Sequence, residues 1–201
     1  MRTMPRLVAV ALLLAPLAGC CVAFRSAGPR RITPWPPGSP PEPEKMKAVS
    51  IDFNGLTGPT ADDLLLPPRS QLIYRNASHW AYYRSGRFTH VRPEPAPAEL
   101  HAEIRLYEEQ ARSPRFVRAL NLLSLGLVPA WERRDIVLVT TITDQRNRRL
   151  GRFREAASVT TWHHLLLLLA FPFGPPPGVA ADTVYDLNRA TIAEAYDQGI
   201  Y

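Results

Sequence analysis

Chemistry in a protein comes from a few residue types held at workable spacings, and this chain of 201 residues has few of them. Its two cysteines, Cys20 and Cys21, are adjacent, and so are two of its five histidines, His163 and His164. Neighbouring side chains on a helix point about 100° apart. No cysteine or carboxylate lies within a few residues of the histidine pair, so it makes no joint metal site. His79, His90 and His101 stand singly, His101 on the wet face of its strand. There is no glycine-rich phosphate loop, CxxC pair, HExxH or GxSxG. Asp52, Asp62, Asp63, Asp144 and Glu155 could meet only through the fold. Asp62 and Asp63 read as the start of a turn or short helix, and Asp144 as the shaper of a hairpin turn. Arg146, Arg148, Arg149, Arg152 and Arg154 crowd that hairpin. Two readings of them stand: a solvated turn, or contact with an anionic partner such as phospholipid headgroups, lipopolysaccharide phosphate or an acidic protein. The pattern holds no catalytic set, so the expected protein is not an enzyme and has no metal and no cofactor.

The N-terminus carries the strongest signal. Arg2 and Arg6 form a basic start, residues 7–14 are unbroken apolar sequence, and small residues follow at Ala15, Ala18 and Gly19. This is the layout of a secretory signal peptide. The run is too short for a membrane span of about 20 residues, and Pro5 and Pro16 oppose an ordinary core helix. Leu17-Ala18-Gly19-Cys20 resembles the lipobox of bacterial lipoproteins. That resemblance implies cleavage after residue 19, a diacylglycerol on the Cys20 sulfur and an N-acyl chain such as palmitate. Two or three acyl chains anchor firmly where one does not. Cys21 is not the aspartate that often retains lipoproteins at the inner membrane, so the resemblance favours the periplasmic face of the outer membrane. With Cys20 alkylated, no partner remains for a disulfide within the chain, and Cys21 reads as free or incidental, with pairing between chains as the alternative.

The bulk composition fits one domain with a real core: 46% hydrophobic and 21% charged. The net charge is +6, two units of it from Arg2 and Arg6, too weak to argue for nucleic acid without a patch or motif, so no nucleic-acid partner is expected. The 21 prolines cluster, with seven at positions 29, 34, 36, 37, 40, 41 and 43. Residues 25–45 therefore read as an extended tether, long enough at about 3.1 Å per residue to hold a domain roughly 60 Å from a bilayer. A sharper alternative makes it a proline-rich docking segment around Trp35. The expected organisation is a signal peptide over 1–19, a lipidated N-terminus and tether over 20–46, and a folded domain over 47–201.

Within that domain, KAVSIDF (47–53) alternates as a strand, and NGLTGPTADD reads as loop. SQLIYRNASHWAYYRSGRF (70–88) reads as a helix with Leu72, Ala77, Trp80 and Ala81 on one face and Gly86 as its stop. RFTHVRP is a short edge. ELHAEIRLYEE (99–109) alternates cleanly, and DIVLVTTITD (135–144) is a central β-branched strand joined by a turn to LGRFREAASVTTW (150–162). DTVYDLNRATIAEAYDQG (182–199) is an amphipathic helix capped at Asp182 or Thr183, with Val184, Leu187, Thr191 and Ala195 along its stripe. The expected fold class is α+β: one largely antiparallel or mixed sheet of about four to five strands with helices on one face.

Two short apolar segments, 116–131 and 162–178, interrupt this scheme, each too short to span a bilayer and neither patterned as one face of a surface helix. They bracket the central hairpin and should emerge on the same side of the sheet. Either they pack together and cover one end or face of the domain, or they form an exposed surface for lipid or a partner, with Trp131 and Trp162 at their inner ends. The tract LNLLSLGLVPAW, the strand ending TITD and WHHLLLLLAFPFG together resemble a group of proteobacterial envelope lipoproteins over roughly residues 119–174. The resemblance implies location and fold, and no activity. The order of elements is loosely similar to that of small α+β lipoproteins that assist envelope transport and assembly, a likeness at the level of fold. The expected protein is thus a non-enzymatic interaction or assembly module, lipid-anchored at Cys20, with the membrane and an envelope protein as partners. Trp131, Trp162, Arg146, Arg148 and Arg149 are its candidate contact residues. An accessory subunit of an envelope lipid or ABC-type transport system is the first alternative. An envelope hydrolase is the second, and it lacks a nucleophile–base or metal set.

Overall fold

A computed structural model of the chain describes residues 21–29, 46–57, 64–93, 96–110, 115–164, 167 and 176–201. The signal peptide, Cys20, Trp35 with most of the proline-rich stretch, Asp62, Asp63 and most of the second apolar segment lie outside the described residues.

The organising element is a long hairpin. β6 (Ala130–Asp144) and β7 (Arg149–His163) are each 15 residues long and pair antiparallel along nearly their whole length. Their turn forms for a local reason. The Asp144 carboxylate accepts the backbone N–H groups of Arg146 and Arg148, both at 2.9 Å, and Asn147 takes the left-handed conformation (φ 57°) that asparagine tolerates. β5 (Leu100–Gln110) runs antiparallel beside β6, and β2 (Lys47–Thr57) lies parallel to β5. β1 (Cys21–Ala27) closes one edge against β7, while β3 (Leu64–Leu65) and β4 (Phe88–Pro93) share the outer side of β2. The order is β1-β7-β6-β5-β2-β3, with β4 also paired to β2.

Alternation assigns the two faces of this sheet. The inner face carries Ala102, Ile104 and Leu106 of β5, Ile136, Leu138 and Ile142 of β6, and Phe153, Ala157 and Val159 of β7, all buried. Helices α1 (Pro68–Arg84) and α3 (Pro176–Asp197) pack on it. They touch through small and polar groups, with the Asn188 amide donating to the Ser78 hydroxyl at 3.0 Å. The outer face is mixed: the pairs Glu103–Arg105 and Arg133–Asp135 lie along it, and Val139 is buried on it. The protein is α+β with helices on one face, as its sequence implies.

Several expectations need correction. The sheet is mixed, within what the sequence implies, but it has seven strands in place of four to five, because β1 and β3 join the five read from alternation. β1 is the larger change: residues 21–27, read as part of an anchor and tether, form an edge strand. Its Ala23 is buried on the inner face, and its Arg25 guanidinium reaches Asp186 of α3 at 2.8 Å. β2 extends through residues 54–57, read as loop, because Gln71 clamps both backbone groups of Gly55, accepting from its N–H at 3.1 Å and donating to its carbonyl at 2.7 Å. α1 buries Tyr74, Ala77, Ser78, Ala81 and Tyr82 and leaves Leu72 and Trp80 about half exposed. Its rotation is set by two phenols, Tyr74 donating to Glu108 at 3.3 Å and Tyr82 stacking on Phe88 at 5.5 Å between centroids. α3 starts at Pro176, where a missing N–H costs nothing. Asp182 and Thr183 are therefore inside the helix, not at its cap, and the Thr183 hydroxyl donates back to the Val179 carbonyl at 2.7 Å. The expected stripe of Val184, Leu187, Thr191 and Ala195 is buried throughout.

Candidate functional site

The open end of the β6–β7 hairpin gathers most of the large apolar side chains that the fold leaves exposed. Trp131 and Trp162 are opposite one another in the β6–β7 register, and Val22 is opposite Trp162 in the β1–β7 register. Directly opposed residues point to the same face, so Val22, Trp162 and Trp131 form a row across three strands on the outer face. Phe24 stands two residues along, 48% exposed, and the two tryptophans are about 40% exposed. Behind this row, between β5 and β6, lies α2 (Arg115–Leu123), none of whose residues is buried.

α2 and the turn after it invert the usual arrangement of a protein surface. Their polar groups are spent inward. The Asn121 amide donates to the carbonyls of Val128 and His163, the Ser124 hydroxyl accepts the N–H of Val128, and His164 Nε2 pairs with the Leu127 carbonyl at 3.1 Å. Their apolar groups face out: Phe116, Leu122, Leu123, Leu125 and Leu127 are all more than 60% exposed. Leu125 even takes a left-handed backbone (φ 52°), which costs a non-glycine residue about 1–2 kcal/mol. On α2 itself Phe116, Leu120 and Leu123 fall at i, i+4 and i+7, with Arg115 and Arg118 off that line. The expectation that this segment lacks a surface-helix pattern is corrected: α2 is amphipathic, and its apolar stripe faces away from the protein. In the described part of the first segment the large apolar side chains are turned mostly outward, while most of the second segment lies outside the described residues. A shallow apolar groove of about 510 Å³ runs along this end, lined by Val22, Phe24, Pro129, Trp162, His164 and Leu167.

A charged chain ties this end to the inner face. Arg118 pairs with Glu132 at 3.1 Å, Arg134 bridges Glu132 and Glu108 at 3.1 and 3.0 Å, and Tyr74 closes the series on Glu108. Both carboxylates are buried, so each needs its partners. Burial, aided by the nearby arginines 118 and 134 and opposed by Glu132, pushes the His163 imidazole below its ordinary value and keeps it neutral at neutral pH.

The arginines are elsewhere. Arg146, Arg148 and Arg149 are exposed at the closed tip of the hairpin. A 15-residue strand at about 3.3 Å per residue puts them roughly 45 Å from the tryptophans. The structure thus separates the candidate contact residues into two groups at opposite ends, and counting back from the turn along DIVLVTTITD would have shown it. At the tip Arg148 pairs with Asp144 at 3.1 Å, and a polar cleft of about 640 Å³ opens between Lys47, Glu99, Arg146 and the Ile200 backbone region. His163 and His164 do not converge on a common point: His164 faces a carbonyl on the α2 side. A Ser50–His101 contact at 2.5 Å, not foreseen from the sequence, joins two adjacent strands, but Ser50 is 1% exposed and closed off from any substrate. Among the described residues no group of three or more His, Cys, Asp or Glu could hold a metal ion. No described helix is long and apolar enough to cross a membrane.

No protein-family model and no curated protein matches the chain. Among solved structures it is similar to the PelC dodecamer from Paraburkholderia phytofirmans, at 13% identity over 84% of this chain and 97% of that one, with a TM-score of 0.34. A point-substituted form of the same protein aligns at 12% identity over 83% and 93%, with a TM-score of 0.35. A candidate lipoprotein from Caulobacter crescentus CB15 is similar at 14% identity over 74% and 82%, with a TM-score of 0.25. These similarities assign the chain to no family and no activity.

Proposed function

We propose that the chain is an envelope lipoprotein anchored through a diacylglycerol on Cys20, and that its α+β domain is a non-enzymatic interaction and assembly module working through its apolar end. One observation carries this reading: a lobe whose polar groups are satisfied inward and whose phenylalanine, leucines and tryptophans face outward. Folded domains keep such contiguous patches for partners or membranes. The chemistry of the N-terminus agrees with it, since Cys20 immediately precedes β1, and β1 begins at that same end. A lipid on Cys20 would then be mounted on the sheet with no spacer, and the 60 Å tether between anchor and domain is given up. The proline-rich stretch connects β1 to β2 instead. On this reading the protein sits at the periplasmic face of the outer membrane, takes no cofactor and binds no nucleic acid.

The test is palmitate labelling of the full chain, followed by cross-linking from a photoreactive residue at Leu122. Wild type should take the label, Cys20→Ser should not, and cross-links should concentrate on one envelope component. Label retained in Cys20→Ser, or absent from wild type, overturns the anchor. A second reading, an accessory subunit of an envelope lipid-transport system, is favoured by the apolar groove beside Trp162. It requires lipid to co-purify with the protein, which extraction and mass spectrometry would detect.

A further inference from the structure

Resting on the reading that Cys20 carries the lipid, we infer that the occupant of the apolar end is the bilayer itself, with α2 lying in the membrane interface as an amphipathic helix. Position is the first argument. Cys21 is opposite His163 in the β1–β7 register, next to the Val22–Trp162–Trp131 row. Acyl chains carried by the preceding residue enter lipid within a residue or two of that row, and α2 is fastened to the same corner through Asn121 and the His163 carbonyl.

The second argument is the chemistry of the surface. α2 sets Phe116, Leu120 and Leu123 in one line with Arg115 beside it and Arg118 on the far side, the pattern of a helix that rests its apolar side about 5–10 Å into a headgroup region. Arg115 has a stem long enough to keep its charge in the headgroup layer, while Arg118 is turned to Glu132. The paired tryptophans lie where the apolar lobe gives way to the ion pairs of the outer face, the place interfacial tryptophans take. The backbone and amide groups that would be costly to remove from water already have partners in Asn121, Ser124 and His164. A lipid surface needs no shape complement, which suits a helix with no buried residue. The strands then rise from the bilayer, and the Arg146–Arg148–Arg149 tip stands roughly 45 Å from it, out of reach of that membrane's headgroups.

The experiment uses the full lipidated protein in phosphatidylethanolamine–phosphatidylglycerol vesicles containing lipids spin-labelled near the headgroup. Four forms each retain one tryptophan, the other three being replaced by phenylalanine. Docking predicts that Trp131 and Trp162 lose emission to the quencher while Trp80 keeps it. It also predicts that Leu120→Ser with Leu123→Ser restores emission at Trp131 without releasing the protein from the vesicles. Equal emission at Trp131, Trp162 and Trp80 overturns the inference, as do cross-links between two copies at Leu123 in place of quenching. If palmitate labelling shows Cys20 unmodified, the anchor fails separately. The same protein added to preformed vesicles then decides the docking: quenching of Trp131 upholds it, and its absence overturns it.

Discussion

Cys21 lies opposite His163, so the residue after the proposed attachment point is already hydrogen-bonded sheet, at the corner from which α2 projects. The domain therefore has a defined mounting. Whatever holds Cys20 holds this corner, and the apolar lobe is brought to the same surface. Stability and surface chemistry are separable here, because no residue of α2 is fully buried.

That separation can be measured. Leu123→Ser replaces a side chain that is 80% exposed and Leu120→Ser one that is only partly covered, so thermal or urea unfolding should move by no more than about 1 kcal/mol. The same pair should reduce self-association of a Cys20→Ser chain in detergent-free buffer, read by analytical ultracentrifugation. A loss of several kcal/mol would mean that α2 is part of the core.

β1 makes the opposite prediction. Its Arg25 meets Asp186 at 2.8 Å, and Asp186 also holds Arg189, whose side chain is 6% exposed. Arg25→Ala should cost about 1 kcal/mol, as the arginine of the pair keeps about a quarter of its side chain in water. Asp186→Ala should cost about 3 kcal/mol, because it withdraws a carboxylate from a buried guanidinium. Denaturant titration of both variants checks the order. No change on Arg25→Ala would mean that residues 21–27 are not part of the folded unit.

Much of this architecture is legible in the sequence, and the exceptions have physical causes. The alternation of Leu100, Ala102, Ile104 and Leu106, and the β-branched run from Ile136 to Ile142, announce strands because one face is dry. β1 escapes notice because it is seven residues long, begins directly after the lipobox, and places an arginine on its inner face. α1 is legible as a helix, but its rotation is not, since the partners of Tyr74 and Tyr82 come from distant strands. At the apolar end the rule that apolar residues are interior fails. The composition of 116–131 is visible, and its outward orientation is decided by where Asn121 and Ser124 spend their hydrogen bonds. The tryptophans and arginines are all visible as candidates, but only the length of β6 and β7 shows that they cannot act together on one surface.

Asp144 gives a pH-dependent prediction at the hairpin tip. Hydrogen bonds from the backbone of Arg148 and then Arg146, with the Arg148 guanidinium, hold its carboxyl below the usual aspartate value. A depressed folded pKa contributes stability that is complete above the unfolded value near 4 and is lost as pH falls through the folded value. Asp144→Asn should therefore lower the melting temperature at pH 7, and the difference from wild type should vanish at strongly acidic pH. An equal difference at every pH would mean that the turn depends on shape and not on charge.

Glu155 runs the other way. It lies on the inner face of β7, opposite Leu138, where burial and then the nearby Glu194 raise its carboxyl above the ordinary glutamate value. Because its folded pKa is raised, the folded state binds its proton more tightly than the unfolded chain does. The resulting destabilisation is absent below the unfolded value, grows as pH rises from there to the folded value, and stays constant above it. Glu155→Gln keeps the shape and removes the charge, so it should raise the melting temperature at pH 7 and match wild type well below pH 4. Glu194→Gln should reproduce part of the gain, since it removes the second cause and leaves the first. If Glu155→Gln instead melts lower at pH 7, the ionised carboxylate has a stabilising partner in solution, and the inner face at this point is more polar than its neighbours Leu138 and Ala157 imply.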